Sequence, residues 1–337
     1  MQHVTVRAFD AERDAQPFAQ FLTDDECALH GAASILTPDA VRVMCADTEY
    51  WRQRRWVAVR DGRVVGTAAL LLPLSENLDL ANVVLKVLPD AQGEGIGTRL
   101  VEECLLPAFR ESGRARLEAY GEFVGDDDVD DPAHPVNRIA RRLGVVRKNL
   151  AVARIAPIPV DAGAMAELQR EADAASGDYR LLLWRDRVPE EYLAEYSALM
   201  RQLDLDEPDE DVVSEVADYT PERIRAAEER SDRMGERMII AVAQAADGTL
   251  AAHSEVHVLD TPGTDLALQE NTIVFEAHRG HRLGLALKLA THRRLAEDFP
   301  EVRRIVTWNS HVNPWMIHVN EQLGYEIAYR EVTYQTP

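Results

Sequence analysis

A glycine-rich stretch at residues 92–97, Gln-Gly-Glu-Gly-Ile-Gly, constrains this chain more than any other feature of its sequence. It follows a mostly apolar run at residues 83–87 and opens a helix whose apolar residues repeat on one face. Three glycines between a strand and a helix leave bare backbone N–H groups at the positive end of the helix dipole, where phosphates bind well. The pattern favours an anion cradle; the alternative is a tight strand-to-helix turn without a ligand.

A less regular copy of this stretch lies at residues 279–284, Arg-Gly-His-Arg-Leu-Gly. Around each copy the predicted elements follow one order: a hairpin with an Asp-Gly turn, a strand, the loop, a helix, a strand, a helix ending in Leu-Gly, and a last strand. This order predicts an α/β (α+β) fold of two tandem domains, each with a mixed, mostly antiparallel central sheet flanked by helices. We place the domains at 1–156 and 178–337, with a connector at 157–177.

Charge and cysteine content exclude several classes of protein. A formal net charge of −21 argues against a nucleic-acid partner, because phosphate contacts need basic patches. The sequence has no run of about 18 apolar residues, and residues 1–16 are charged rather than signal-like, so we expect neither a membrane partner nor export. The three cysteines lack the spacing of metal or redox sites, which predicts a cytoplasmic protein without a metal centre.

A dinucleotide-binding fold is one alternative, because a strand, a Gly-rich turn, a helix and a second strand containing Glu118 imitate its fingerprint. Against it, Thr98 stands where the third dinucleotide glycine is expected, and the loop follows a hairpin rather than the first strand of a βαβ unit. In the second copy the corresponding strand, residues 305–308, has no acid for a ribose. A P-loop is excluded because no Gly-Lys-Ser/Thr follows the glycines. An NAD-dependent enzyme built around Glu118 stays a secondary alternative.

Residues 87–97, Val-Leu-Pro-Asp-Ala-Gln-Gly-Glu-Gly-Ile-Gly, resemble the GNAT superfamily of N-acetyltransferases, whose motif is Gln/Arg-x-x-Gly-x-Gly/Ala at a strand-to-helix junction. Both copies follow that superfamily's order of elements, so the resemblance covers nearly the whole chain and points to its tandem, mycothiol synthase-like actinobacterial members. It implies acetyl-CoA as cofactor, with the pyrophosphate on the loop amides. The implied contacts are Val87, Gln92, Gly93, Glu94, Gly95, Ile96, Gly97 and Thr98 in the first copy, and Val274, Arg279, Gly280, His281, Arg282, Leu283 and Gly284 in the second.

The second copy departs from the motif at Arg282, which replaces the middle glycine and narrows the cradle, although its guanidinium can itself bind phosphate. The resemblance implies that Asn313, after the strand end at Asn309, contacts the pantetheine arm. Seven residues later the family often has a Tyr that protonates the departing thiolate, and here it is Asn320. The first copy has alanine at both equivalent places, Ala133 and Ala140. The more regular phosphate loop thus falls in the first copy, whereas the polar residues at the positions that the family uses for pantetheine contact and proton transfer fall in the second.

Acetyl transfer to an amine needs a base for the amine proton, donors for the developing oxyanion and a proton for the thiolate. Glu255 is the leading base, because strand alternation places it on one polar face with His253 and His257. The alternative is an ordinary surface carboxylate. Tyr325 is the candidate acid, and its alternative is a packed core residue, since it directly follows a Leu-Gly helix cap.

The resemblance implies that the acidic segment at residues 204–211 covers the acceptor site. Its carboxylates would attract a cationic amine: Asp204, Asp206, Glu207, Asp209, Glu210 and Asp211. We therefore predict an acetyl-CoA-dependent N-acetyltransferase, a monomer or homodimer, in which a small-molecule amine attacks the thioester directly in the second copy. The competing class is a catalytically silent, acetyl-CoA-binding regulatory protein. The sequence leaves open whether the acceptor is a small amine, an aminoglycoside, an amino acid or a peptide N-terminus.

Overall fold

A computed structural model describes residues 4–206 and 210–337 of the chain. It divides into two compact units that are not contiguous in sequence. Unit 1 comprises the described residues within Met1–Ala151, Asp209–Glu215 and Tyr329–Pro337, and unit 2 those within Val152–Pro208 and Val216–Ala328. These units differ from the predicted domains 1–156 and 178–337, because the end of the chain and a short internal segment are part of unit 1.

The first half of the chain contains, in order, β1 (Thr5–Ala8), α1 (Ala11–His30), α2 (Pro38–Met44), β2 (Trp51–Arg60), β3 (Arg63–Pro73), β4 (Leu80–Val87), α3 (Ile96–Arg99), α4 (Leu106–Ser112), β5 (Arg116–Val124) and α5 (Pro135–Leu143). A π-helical turn, Leu100–Leu105, joins α3 to α4. The predicted Asp-Gly hairpin turn joins β2 to β3, with Asp61 and Gly62 both at positive φ, the conformation that suits the twist of the two strands.

The second half contains, in order, β6 (Val146–Pro157), α6 (Ala162–Ser176), β7 (Arg180–Arg185), α7 (Leu193–Asp206), α8 (Pro221–Met234), β8 (Glu236–Gln244), β9 (Leu250–Leu259), β10 (Leu266–Val274), α9 (Leu283–Asp298), β11 (Arg304–Ser310), α10 (Pro314–Gln322) and β12 (Glu326–Gln335). Short 3₁₀ turns at Pro89–Ala91 and Glu276–His278 follow β4 and β10. The repeated order of elements predicted from the sequence is therefore present in the fold.

The sheet of unit 1 has the strand order β1-β2-β3-β4-β5-β12. Strands β4 and β5 are parallel, and the other pairings are antiparallel. The last strand is in this unit because the segment from Tyr329 to Gln335 forms an antiparallel ladder with β5, from Val124 back to Glu118. Assigning the whole C-terminal end to the second domain misses this ladder, which no local sequence pattern encodes.

In unit 2 the strand order is β6-β11-β10-β9-β8-β7, with β10 and β11 parallel and the β7–β8, β8–β9 and β9–β10 pairings antiparallel. The predicted connector, 157–177, is part of the packing rather than a linker. Its helix α6 buries Leu168 and Ala172 in the same core as Leu285 and Leu289 of α9. Residues of the expected linker thus contribute to the stability of unit 2.

Helices cover both faces of each sheet, as the predicted architecture requires. In unit 1, Phe18 and Val41 from α1 and α2 pack on one face, and Leu100 and Leu143 pack on the other. In unit 2 the corresponding side chains are Tyr196 and Ile224 from α7 and α8, and Leu285 and Leu295 from α9. Among the described helices, none is both long and apolar enough to cross a bilayer.

Candidate active site

The two parallel strands of each sheet separate partway along their length. In unit 2 the ladder between β10 and β11 ends at the Gln269/Thr307 pair, where Thr307 Oγ1 donates to the Gln269 carbonyl at 3.1 Å. The strands continue to Val274 and Ser310. In unit 1 the ladder between β4 and β5 ends likewise at Val83 and Ala119. Separating strands offer backbone N–H and C=O groups to a ligand that itself contains amides.

A β-bulge on β10 distinguishes the separating strands of unit 2. The register between β9 and β10 jumps from Val256/Gln269 to Ser254/Thr272, so two residues of β10 lie opposite Glu255. The Gln269 Nε2 donates to the Glu255 carbonyl at 2.7 Å, opposite the bulge. Bulges bend a strand and leave one residue outside the pairing, which is why they recur beside active sites. The β3–β4 register of unit 1 shows no such shift.

The Glu255 carboxylate lies buried opposite this bulge. Its Oε1 accepts a hydrogen bond from Asn271 Nδ2 at 2.7 Å, and its Oε2 accepts one from the Tyr196 hydroxyl at 2.8 Å. Only 7% of Glu255 is exposed, so the surface-carboxylate alternative is wrong. Burial and the adjacent Glu255 raise the pKa of Tyr196 well above its usual value, which keeps the phenol a donor. Tyr196, Asn271 and Gln269 were not among the predicted site residues.

The polar face predicted around Glu255 is covered by helix α7. His253 is fully buried, with its ring edge-on to Tyr196 at 5.2 Å, and burial lowers the pKa of His253. His257 is half-buried, with Nε2 at 3.8 Å from Glu255 Oε1. The alternation of β9 therefore brings the three side chains to one side of the sheet as expected, but beneath a helix rather than on an open surface.

The glycine loop of unit 1 has the backbone of an anion cradle. Gly93 and Gly95 have φ of 78° and 81°, and the space that a Cβ would occupy at either is open. Gln92 Nε2 donates to the Val87 carbonyl at 3.0 Å and ties the loop to the strand before it. Side chains of Asp10 and Thr37 cap α1 and α2, whereas α3 begins at Gly95 without a side-chain cap. Its first N–H groups are therefore available to phosphate.

The structure also places the four other predicted contacts of this loop. Ile96 is buried in the core, and Glu94 pairs with Arg60 at 2.8 Å. Gly97 lies in the first turn, where a Cβ would come within 3.8 Å of Val87, and Thr98 is half-buried beside it. A side chain at Gly97 would meet only ordinary contacts, so the backbone conformation constrains Gly93 and Gly95 more strongly than Gly97.

The loop of unit 2 reproduces this backbone with a different sequence. Gly280 has φ of 87°, and Arg282, at φ of 52°, begins α9 in the left-handed conformation that Gly95 has in unit 1, again without a side-chain cap. Arg279 Nε donates to the Val274 carbonyl at 3.2 Å, in the manner of Gln92. Arg282 thus alters the cradle without removing it. His281 contacts the ring of Tyr179, while Leu283 is buried and Gly284 lies in the first helical turn.

The guanidinium groups of this loop have carboxylate partners. Arg282 pairs with Glu171 at 3.2 Å, and Arg279 pairs with Asp206 at 2.6 Å. Asp204 accepts from the Tyr219 hydroxyl at 3.1 Å. Of the other acids in the predicted acidic segment, Glu207 and Asp209 lie outside the described residues, and Glu210 and Asp211 are part of unit 1. Attraction of a cationic amine by this segment stays a prediction.

Asn313 and Asn309 both lie at the open end of β11. Asn313 Oδ1 accepts from Met316 N at 3.2 Å and so caps α10. Both α5 and α10 begin with Pro, which aligns the two helices. In unit 1 the residue before that Pro, which caps α5, is His134. His134, rather than Ala133, is therefore the counterpart of Asn313. Asn309 is buried, and its Oδ1 accepts from Arg154 at 2.9 Å and from Asn320 at 3.2 Å.

Tyr325, the predicted acid, packs in the core of unit 2. Its hydroxyl lies 3.0 Å from His292 Nε2, and burial raises its pKa well above the usual value. Lys288 lies over its ring, with Nζ at 5.4 Å from the ring centre. A buried phenol held by an internal imidazole is a packing residue, so we assign Tyr325 no role in proton transfer.

Lys288 is a fully buried amine that the sequence did not single out. Its Nζ donates to Asn320 Oδ1 at 2.7 Å, and burial lowers its pKa to about 7. An unfolded lysine titrates near 10.4, so between pH 7 and pH 10 the unfolded chain binds more protons than the folded one. Folding stability contributed by this group therefore rises with pH across that window, by up to about 1.4 kcal/mol per pH unit.

We expect Lys288→Met to remove this pH dependence. The variant should gain several kcal/mol in unfolding free energy relative to the wild type near pH 7, and the gain should shrink toward pH 10. Urea unfolding of both proteins at pH 7, 8.5 and 10 measures the difference, with Lys148→Met on β6 as the matched control. A difference between wild type and Lys288→Met that does not change with pH would contradict the assignment.

Glu118, the acid of the dinucleotide alternative, accepts hydrogen bonds from side chains of unit 1. Its Oε1 accepts from the Tyr120 hydroxyl at 2.7 Å and its Oε2 from Gln335 Nε2 at 2.6 Å. Gln335 reaches it from β12, the strand that the sequence assigned to the other domain. The Oε1 bond lies within β5 and the Oε2 bond joins β5 to β12. Both carboxylate oxygens are thus engaged within unit 1, which leaves no reason to assign Glu118 to a ribose.

Comparisons with known proteins identify relatives of this fold. Residues 51–130 match the family model described as an acetyltransferase (GNAT) domain. Among solved structures, a tandem GNAT protein from the clavulanic acid biosynthesis pathway is 25% identical, covers 99% of this chain and 98% of its own, and superposes with a TM-score of 0.74. A GCN5-related N-acetyltransferase from Sphaerobacter thermophilus is 14% identical, with 98% and 95% covered and a TM-score of 0.60. None of the curated proteins compared with the sequence matches it.

The fold extends to more distant structures. A putative acetyltransferase from Pyrococcus horikoshii is 12% identical, with 99% of this chain and 89% of that one covered and a TM-score of 0.52. At such low identity this likeness concerns the fold alone. The family match and the shared tandem architecture together identify the chain as an acyltransferase of the acetyltransferase class, built on two GNAT folds.

Proposed function

We propose that the protein is an acetyl-CoA-dependent N-acetyltransferase whose active centre lies in unit 2. One observation carries the proposal: the buried Glu255 carboxylate, held by Tyr196 and Asn271, lies opposite the β10 bulge where the parallel strands separate. Unit 1 has the more regular cradle but neither the bulge nor an equivalent carboxylate on β3, whose sequence is Arg-Val-Val-Gly-Thr-Ala-Ala-Leu-Leu-Leu-Pro. We propose that unit 1 binds acetyl-CoA without turning it over.

The residues of unit 2 fit the cofactor at two places. The N–H groups that begin α9, beside Gly280 and Arg282, suit its diphosphate, and the separating edges of β10 and β11 suit its amide-containing arm. When bound, acetyl-CoA supplies the thioester whose carbonyl the acceptor amine attacks. The residue that the bulge leaves outside the ladder provides a backbone N–H of the kind that stabilises an oxyanion.

Glu255 would take the proton that the amine loses as it attacks. The hydrogen bonds from Tyr196 and Asn271 occupy one position on each carboxylate oxygen and fix the plane of the group. Each oxygen retains a second lone pair for the amine or for a bridging water. Burial of the carboxylate limits competition from bulk water, which suits a base that must act on one bound amine.

The acceptor that we propose is a small-molecule amine, and a cationic one suits the acid-rich surface of this chain. We also propose that the protein works in the cytoplasm as a monomer or homodimer, without nucleic-acid or membrane partners. Release of CoA thiol, measured with a panel of polyamines, aminoglycosides, amino acids and peptide N-termini, tests the function. Thiol release that depends on one class of amine supports it. Calorimetric binding of acetyl-CoA without amine-dependent release would instead favour the regulatory alternative.

A further inference from the structure

The imidazole of His257 lies between two carboxylates on neighbouring strands. Its Nδ1 is 3.4 Å from Glu236 Oε2 on β8, and its Nε2 is 3.8 Å from Glu255 Oε1 on β9. Glu236 is itself held by the Ser231 hydroxyl at 2.5 Å. His257 follows Glu255 by two residues, so strand alternation places both on one side of the sheet. The ring is 18% exposed, which leaves it mostly shielded from bulk water.

The charged groups that act on His257 are carboxylates. Glu236, Glu255 and, on the bulge of β10, Glu270 all act on the imidazole. Burial alone would lower the pKa of His257, but the hydrogen bond to Glu236 and the charges of these acids outweigh burial and raise it to about 9. The pKa of Glu236 shifts downward, with His257 and Arg230 of α8 offsetting its burial. The pKa shifts of Glu236 and His257 therefore both indicate a charged pair at neutral pH.

The two hydrogen-bond donors of Glu255 carry no charge. Tyr196 and Asn271 orient the carboxylate, but neither supplies a positive charge. The imidazolium of His257 is the cation nearest to Glu255 among the ion pairs of the described residues, and it faces the same Oε1 atom that Asn271 contacts. A base must be ionised before the amine arrives, so a fixed positive charge at this distance has a direct consequence for activity.

We propose that His257 is a positioning residue whose positive charge stabilises the Glu255 carboxylate that receives the proton of the acceptor amine. This inference rests on the proposed function, in which Glu255 accepts the amine proton. As that proton reaches the carboxylate, Glu255 becomes neutral and His257 keeps its own proton, held by Glu236. No atom of His257 enters the reaction, and its effect is confined to the charge that Glu255 experiences.

The test is the pH profile of His257→Gln, which keeps a polar side chain of similar length and removes the charge. We expect the acid limb of kcat/KM for the amine to move upward by about one pH unit, with the activity on the high-pH plateau largely retained. The exposed His318→Gln on α10 is the matched control and should leave the profile in place. An unshifted acid limb in His257→Gln would overturn the inference. Loss of activity in Glu255→Gln with that unshifted limb would leave the proposed function intact, whereas a fully active Glu255→Gln would remove both Glu255 and His257 from the mechanism.

A second measurement avoids dependence on the folding of His257→Gln. In the wild-type protein, the histidine-selective NMR signal of His257 should titrate well above the usual range, and Glu236→Gln should lower its midpoint by at least about one pH unit. A His257 midpoint that Glu236→Gln leaves unchanged would refute the charge pair on which the inference depends.

Discussion

Glu255→Gln is expected to lower kcat/KM for the amine by on the order of 10²–10⁴-fold, the usual cost of losing a positioned general base. Glutamine keeps the size of the side chain and can still accept the hydrogen bond from Tyr196, so the fold around the bulge should persist. The KM for acetyl-CoA should stay close to the wild-type value, because Glu255 lies on β9 and not in the loop. Initial rates of thiol release over a range of amine concentrations measure the effect.

The residual activity of this variant should rise with pH, since a larger fraction of the free amine is then neutral and able to attack the thioester. Glu297→Gln on the exposed face of α9 is the matched control and should leave the rates unchanged. Wild-type kcat/KM in Glu255→Gln would remove Glu255 from the mechanism. It would also redirect the search to another group near the bulge.

Two loop variants, Gly280→Asp and Gly95→Asp, should separate the two units. Both glycines have positive φ and open space around the missing Cβ, and Asp tolerates this conformation better than most residues. The added carboxylate repels the diphosphate. We expect Gly280→Asp to raise the KM for acetyl-CoA by about 100-fold, equivalent to about 2.7 kcal/mol. Gly95→Asp should lower the number of acetyl-CoA molecules bound per chain, measured by calorimetry, and leave turnover unchanged.

Gly280→Asn, of the same size but neutral, controls for the side chain itself and should have a smaller effect than Gly280→Asp. Thermal melts of all three variants establish that the fold is retained. The reverse result, in which Gly95→Asp abolishes turnover and Gly280→Asp does not, would assign the active centre to unit 1. Equal losses in both would show that the two loops act together.

Much of the fold could be predicted because its signals are local. The Asp-Gly turn, the glycine loops and the alternation of β9 each lie within about ten residues of sequence, and each restricts φ and ψ or the direction of side chains. Arg282 shows the limit of such reasoning. Its side chain suggested a narrowed cradle, whereas the backbone there takes the same left-handed conformation as Gly95.

The candidate site could be predicted only in part. Alternation placed Glu255, His253 and His257 on one face, but nothing in the sequence identified Tyr196, which comes from α7 and donates to Glu255. The bulge depends on how two strands align, and a register shift leaves no motif in either strand. Lys288 was missed because it lies in an apolar helix, where a lysine is usually read as exposed.

The sequence by itself determined that this chain repeats one α/β plan twice, with a phosphate-binding loop in each copy, since turn chemistry and periodicity act over short stretches. The tertiary structure alone decided that β12 completes the sheet of unit 1, that Tyr325 belongs to the core, and that Glu255 is a buried carboxylate with two donors. The physical reason is that burial, strand register and hydrogen-bond partners depend on segments far apart in the chain. Local propensity does not specify which of those segments meet.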